Sequence, residues 1–388
     1  MSIKKLAIIT THPIQYNAPF FKLLADRGVI EIKVFYTWGD GVLKNKYDPG
    51  FGKVINWDIP LLEGYQYEFV KNISKNPGSH NFKGIDNPGL SLKIKGWNPD
   101  ALMVYGWNFK SHLKALRYFK GKIPIIFRGD STLLQKRNGI KSLLRKIFLK
   151  WVYSHVSYAM YVGTLNKSYY QKFGLKEKSL FFGPHAIDNK RFGLNIEERR
   201  KWRKKLGISE NDILLLYAGK IDENKNVAFL ARNFTSMKLE GVKLLIAGNG
   251  PSEIQLKDEF NGVSNIIFID FQNQSNMPAL YSMADIFILP SLSETWGLAI
   301  NEAMAAGKAV LVSKNCGAAV DLVTNGINGY TFDPAIDTDL KEKILLMTSD
   351  KEKLDEMGNA SLNIIKNWSY EVNCDALERI VNSAKVIQ

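Results

Sequence analysis

Short apolar runs rich in branched residues, each followed by a stretch of helical character, recur along this chain in two successive series, and no other feature restricts its fold so severely. The first series is "KLAIIT" (5–10), "IKVFYT" (32–37), "ALMVY" (101–105), "IPIIFR" (123–128), "AMYVG" (159–163) and "LFFGP" (180–184). The second is "ILLLYAG" (213–219), "VKLLIAG" (242–248), "IIFIDF" (266–271), "IFILP" (286–290), "AVLVS" (309–313) and "GYTFD" (329–333). Continuous apolar strands alternating with helices mean parallel sheets covered on both faces. Two series in 388 residues predict two doubly wound α/β domains, with ligands outside the carboxyl ends of the strands. The expected boundaries are 1–185 and 195–368, joined through "GPHAIDNKRFG" (183–193), with a terminal helix over 369–388 that completes the first domain or stands apart.

Charge separates the halves. Residues 1–190 carry 30 Lys/Arg and 12 Asp/Glu, a net +18, whereas 191–388 carry 22 and 26, a net −4. The first half is therefore expected to meet an anionic partner: a phosphate-bearing acceptor or an anionic membrane surface. Nucleic acid is not expected, since no recognition motif accompanies the charge. Within this half, "KRNGIKSLLRKIFLKWVYSHVSYAMYVG" (136–163) places Leu143, Leu144, Ile147 and Trp151 at helical spacing among Lys141, Arg145, Lys146 and Lys150. The default expectation is a helix packed on its sheet by that stripe, and the alternative a helix lying on an anionic membrane. No run of about 18 uncharged apolar residues and no signal-peptide pattern is present, which predicts a cytoplasmic protein, peripheral at most to the inner face of a membrane. Cys316 and Cys374 stand far apart without metal or redox spacing.

The chemistry concentrates in "PSLSETWGLAINEAMAAGKAV" (290–310), which reads as a strand end, a turn and a helix stopped by Gly307. The amides of Thr295, Trp296, Gly297 and Leu298 lie at the helix N-terminus, where a partial positive charge suits an anion such as a diphosphate. Glu294 and Glu302 border that position and can accept hydrogen bonds from paired sugar hydroxyls; alternatively they only favour the helix start electrostatically. "YAGKIDENKNV" adds Gly219, Lys220 and Lys225 at another strand end, and "LLIAGNGPSE" adds Gly248, Asn249 and Gly250, where missing side chains let backbone approach a ligand. A third glycine for dinucleotide binding is absent, and "AAGKAV" lacks the spacing of a phosphate loop.

The order GK…K, AGNGP, "SMADIFILPS" and E-x7-E within "SETWGLAINEAMAAGKAV" resembles the retaining glycosyltransferases of family 4, whose GT-B fold pairs two Rossmann-like domains facing a central cleft. The resemblance spans most of 210–333 and is looser over 1–205, where "YVGTLNKSYYQKFGL" and "HAIDNKRF" match the approach to the linker. It implies a nucleoside diphosphate sugar donor, with Glu302 on the ribose, Glu294 on the transferred sugar, Lys220 and Lys225 on the diphosphate, and the amides of 295–298 on sugar and phosphate. Gly219, Asn249, Gly250 and Phe271 complete the implied donor set. No protein nucleophile and no cofactor are implied. Asp337-Thr338-Asp339 reads as helix capping, and lysines with a helix dipole can replace a metal ion.

Three departures stand out. Lys220 occupies a position where many members have arginine, the loop "TTHPIQYNAPF" lacks a glycine pair, and Arg128 and Asp130 stand where a histidine is common. His12, after the first strand, is the alternative sugar contact or else a satisfied structural residue. Gln15 and Tyr16 join it as acceptor candidates, and His185 reads as structural or hinge-associated. The acceptor expected is a glycan or lipid-linked glycan in cell-surface polysaccharide, lipopolysaccharide or glycoconjugate synthesis. A same-fold sugar-nucleotide epimerase and a catalytically silent nucleotide-sugar-binding protein remain as alternatives.

Overall fold

The computed structural model describes residues 3–39, 46–48, 50–134 and 139–383, and its contacts divide the chain into two units. One comprises 1–45, 60–185 and 370–388, and the other 46–59 and 186–369. The first sheet takes β1 (Lys4–Thr10) and β2 (Ile30–Tyr36). A short antiparallel hairpin, β3 (Lys46–Asp48) and β4 (Lys53–Ile55), then leaves for the second unit although its sequence position is inside the first. The first sheet resumes with β5 (Gln66–Phe69), β6 (Ala101–Tyr105), β7 (Ile125–Arg128), β8 (Tyr158–Tyr161) and β9 (Leu180–Phe182). Its order is β5-β2-β1-β6-β7-β8-β9, with every pairing parallel. Leu6, Ala7, Ile8 and Ile9 are all fully buried, so this sheet is covered on both faces, and each such leucine or isoleucine side chain contributes about 1.5–3 kcal/mol by leaving water.

The second sheet comprises β10 (Ile213–Ala218), β11 (Val242–Ala247), β12 (Ile266–Ile269), β13 (Ile286–Leu289), β14 (Ala309–Ser313) and β15 (Gly329–Phe332), in the parallel order β12-β11-β10-β13-β14-β15. Both sheets are doubly wound. Their order reverses between β1 and β6 and between β10 and β13, so loops leaving those neighbours diverge and open a crevice at the carboxyl edge.

The terminal helix, expected over 369–388, runs Tyr370–Ser383, and residues 384–388 lie outside the described residues. It packs against helix Ala18–Asp26, with Arg27 bonded to Asp375 at 2.6 Å and Glu378 at 2.9 Å, and with the Tyr370 hydroxyl donating to the Tyr16 carbonyl. His112 is fully buried, its Nδ1 2.9 Å from the Tyr105 carbonyl and its Nε2 2.9 Å from the Thr37 hydroxyl. Burial lowers its pKa to about 4, against the pull of the Gly106 and Tyr105 carbonyls.

Helix Ile140–Tyr153 departs from its default expectation; the start of its predicted segment, 136–138, lies outside the described residues. It packs inward through Leu149, Val152 and Tyr153, whereas Leu143, Leu144, Ile147 and Trp151, the expected packing stripe, face solvent. Among the described residues no helix is long and apolar enough to cross a membrane.

Candidate active site

In the second unit the crevice lies at the carboxyl ends of β10 and β13. After β13 the chain turns through 290–297 and enters helix Leu298–Ala305, whose first turn carries no side-chain cap. Gly297, at φ +98°, makes the turn in a left-handed conformation, and a Cβ there would press on Leu289 Cδ2 at 3.0 Å. The buried Trp296 ring donates from Nε1 to Asn301 Oδ1 at 2.9 Å, and the Gly317 amide donates to the Glu294 carbonyl at 3.0 Å. Thr295, Trp296, Gly297 and Leu298 are thereby held as a fixed edge at the helix N-terminus, with backbone dipoles aligned toward the crevice.

Lys225 reaches this edge from the loop after β10. Its one-turn 3₁₀ helix, Glu223–Lys225, is capped by Asp222, whose side chain accepts from the Lys225 amide at 2.9 Å. The Lys225 ammonium is ion-paired with the Glu294 carboxylate, and each side chain is about one-fifth exposed. The sequence reading sets Lys225 on the diphosphate and Glu294 on the transferred sugar; in the structure the two side chains also pair with each other. Burial first, and then the Glu294 charge, push the Cys316 thiol well above its ordinary range, which makes it an unreactive packing residue. Glu302 is 2 % exposed, and the Tyr281 hydroxyl donates to its Oε2 at 2.7 Å.

The glycines also have a packing role. A Cβ at Gly248, where φ is +145°, would lie 1.9 Å from the Gly219 carbonyl oxygen, and one at Gly250 would lie 2.3 Å from that of Ile221. Their missing side chains let the two strand-end loops approach each other. Asn249 ties the loop after β11 to the loop after β12 and to the hairpin: its Oδ1 accepts from the Phe271 amide at 2.8 Å and from the Lys53 ammonium, and its Nδ2 donates to Glu253 at 2.9 Å and Asp270 at 3.0 Å.

Lys53 belongs to the hairpin, which sequence reasoning missed as part of this site. Phe51 sets its ring 4.9 Å from the Lys220 ammonium and packs edge-on against Phe271 at 4.9 Å, and Trp57 meets Phe271 at 6.4 Å. The Ser275 amide donates to Asp58 at 3.1 Å, which anchors the returning chain. The signal available in sequence was the aromatic and basic run "FGKVINWD" (51–58), too short and too far from the second series to be assigned there.

The remaining candidates lie in the first unit. His12 follows β1 at the switch point, its Nδ1 2.8 Å from the Thr11 hydroxyl and its ring edge-on to Trp38 at 5.1 Å. Gln15 and Tyr16 follow it, half-buried. Arg128 requires correction as a sugar contact: it is 7 % exposed and donates to the Gly183 and Pro184 carbonyls, both at 2.8 Å, and to Asn373 Oδ1 at 3.3 Å, so it ties the terminal helix to the β9 loop. Asp130 approaches His185 Nε2 at 4.0 Å. Burial and the adjacent Arg128 charge lower the His185 pKa to about 4, against the opposing effect of Asp130. Asp337 and Asp339 occupy the first turn of helix Asp337–Thr348 behind an Ile336 cap, where Asp339 accepts from the Asp333 amide at 2.7 Å. Among the described residues no group of three or more His, Cys, Asp or Glu is arranged to hold a metal ion.

Residues 198–363 match the family model described as glycosyl transferases group 1. An uncharacterized glycosyltransferase of Methanocaldococcus jannaschii is 27 % identical over 224 residues, covering 54 % of this chain and 56 % of that protein. The N,N'-diacetylbacillosaminyl-diphospho-undecaprenol alpha-1,3-N-acetylgalactosaminyltransferase of Campylobacter jejuni is 27 % identical over 242 residues, 61 % of each chain. The chain thus spans a little over half the length of these two relatives. The crystal structure of Anabaena HepE in complex with UDP and glucose superposes with a TM-score of 0.72 over 98 % of this chain and 100 % of that one, at 16 % identity. The architecture is the GT-B fold.

Proposed function

We propose that the protein is a retaining glycosyltransferase of family 4 that moves a sugar from a nucleoside diphosphate sugar to an acceptor hydroxyl without a metal ion. The observation that carries this reading is the meeting, at one sheet switch point, of the Lys225–Glu294 pair with the N-terminal turn at 295–298, Glu302 lying about one turn further along the same helix. The family match over 198–363 and the fold shared with a UDP- and glucose-bound neighbour support it.

In this mechanism the diphosphate lies against the helix N-terminus, with Lys220 and Lys225 as its counter-charges, Glu302 toward the ribose and Glu294 toward the transferred sugar. As the bond from the anomeric carbon to the phosphate oxygen breaks, the acceptor oxygen bonds to the same face of that carbon, and its proton passes to the departing diphosphate. The amides and ammonium groups meet the charge that grows on the leaving group. The acceptor proposed is a phosphate-bearing, lipid-linked glycan at the cytoplasmic face, in cell-surface polysaccharide or lipopolysaccharide assembly. The basic first half and the diphospho-undecaprenol in the name of the Campylobacter relative support that choice.

The test is a thermal-shift and turnover screen of UDP-, GDP-, ADP- and dTDP-sugars. One of them should raise the melting temperature of the wild type and be turned over, with both effects lost in Glu302→Ala. If none stabilises the protein, the donor assignment fails; stabilisation without turnover against any acceptor would identify a binding protein instead.

A further inference from the structure

Helix Ile140–Tyr153 uses its apolar residues on two opposite faces. Leu149, Val152 and Tyr153 are buried at 0 %, 0 % and 3 % exposure and hold it to its unit. Leu143, Leu144 and Ile147 are 58 %, 62 % and 60 % exposed, and Phe148 and Trp151 are 39 % and 41 % exposed. At 100° per residue these five occupy one continuous arc opposite the buried face. Lys146 and Lys150 border one side of the arc, and Lys141 and Arg145 the other, all four exposed. The two aromatic rings are braced from below: Phe148 packs edge-on against Trp107 at 5.3 Å, and Trp151 receives the Arg117 guanidinium at 5.9 Å.

A soluble helix gains nothing by presenting such an arc to water, since large contiguous apolar patches on a protein surface mark a docking face. The charge pattern selects the occupant. Residues 131–176 carry nine Lys/Arg and not one Asp/Glu, and the cations flank the apolar arc on both sides. That is the pattern of a helix lying in a bilayer interface, with leucines among the acyl chains, a tryptophan at the headgroup level and lysines on anionic phosphates.

We propose that the outer face of helix Ile140–Tyr153 docks the protein on an anionic lipid bilayer. The inference does not rest on the transfer reading, because lipid binding is measured without donor or acceptor. The experiment is co-sedimentation of the full-length protein with vesicles of phosphatidylcholine alone and of equal phosphatidylcholine and phosphatidylglycerol. The apparent partition coefficient should be roughly tenfold or more higher on the anionic vesicles and fall in 0.5 M salt, as expected when several basic residues meet a charged surface. Both Leu144→Glu/Ile147→Glu and Arg145→Glu/Lys146→Glu should abolish that gain while melting like the wild type, because all four residues are exposed. Tryptophan quenching by lipids brominated on the acyl chain should weaken in Trp151→Phe. Wild type that stays with the supernatant, or both double variants pelleting as the wild type does, overturns the proposal. So does a wild-type dimer that Leu144→Glu/Ile147→Glu dissociates, since a second copy would then be the occupant.

Discussion

Lys225 and Glu294, 69 residues apart in sequence, form an ion pair across the switch point of the second sheet. On the proposed reading, a diphosphate that enters competes with the carboxylate for the ammonium, so the pair would set a threshold for binding.

Removing the carboxylate should separate these two effects. Glu294→Gln releases Lys225, and UDP should bind a few-fold tighter, given that a partly exposed ion pair contributes up to about 1 kcal/mol. Sugar transfer should nevertheless fall by roughly 100-fold or more, as when a group that meets the reacting sugar is lost. Lys225→Met should weaken both. Calorimetric titration with UDP, alongside initial rates, reads the two quantities.

Gly248→Ala places a methyl group 1.9 Å from the Gly219 carbonyl oxygen at a backbone angle that L-residues avoid. The loops after β10 and β11 have to separate, and the expected cost is about 2–4 kcal/mol in urea unfolding. Nucleotide binding should weaken as well, whereas Gly262→Ala, where a Cβ meets nothing within 4 Å, should leave binding unchanged.

Arg128→Met should behave as a structural lesion. It leaves the Gly183 and Pro184 carbonyls and Asn373 Oδ1 without their charged donor, at an expected cost of about 3 kcal/mol or more. Where the folded variant survives, its donor KM should match the wild type; a selective loss of kcat with unchanged stability would return Arg128 to the chemistry.

His112 gives an acid-side signature. Its folded pKa of about 4 lies below the unfolded value of 6.5, so between these values the unfolded chain binds the extra proton. The stability from neutral His112 is complete above pH 6.5 and is lost as pH falls toward 4, amounting to about 3 kcal/mol at most. His112→Gln should flatten the melting temperature across pH 6.5 to 4.5, and NMR titration of the wild type should show an imidazole that stays neutral to below pH 5.

Most strands were legible because parallel strands buried on both faces must be almost wholly apolar, as "ILLLYA" at β10 and "ALMVY" at β6 are. β5 was not, since "QYEF" lies at a sheet edge and is partly exposed, and an edge strand need not be apolar. The turn at 294–298 could be read because a helix start after a buried strand is a local pattern. The Lys225–Glu294 pair could not, since a pairing across 69 residues leaves no periodic trace. The burial of Arg128 was hidden for the same reason, its acceptors lying 55, 56 and 245 residues away. The stripe on helix Ile140–Tyr153 misled because two apolar faces were present, and spacing cannot say which one meets the sheet.

Arg27 finds Glu378 only after 351 further residues have been made. As the chain leaves the ribosome, helix Ala18–Asp26 has no helical partner to lie against until the segment Tyr370–Ser383 has been translated. The second unit, continuous apart from one hairpin, can mature first. The unit that holds helix Ala18–Asp26 is thus closed only by a segment that follows the second unit along the chain, a long-range contact of the kind that slows folding.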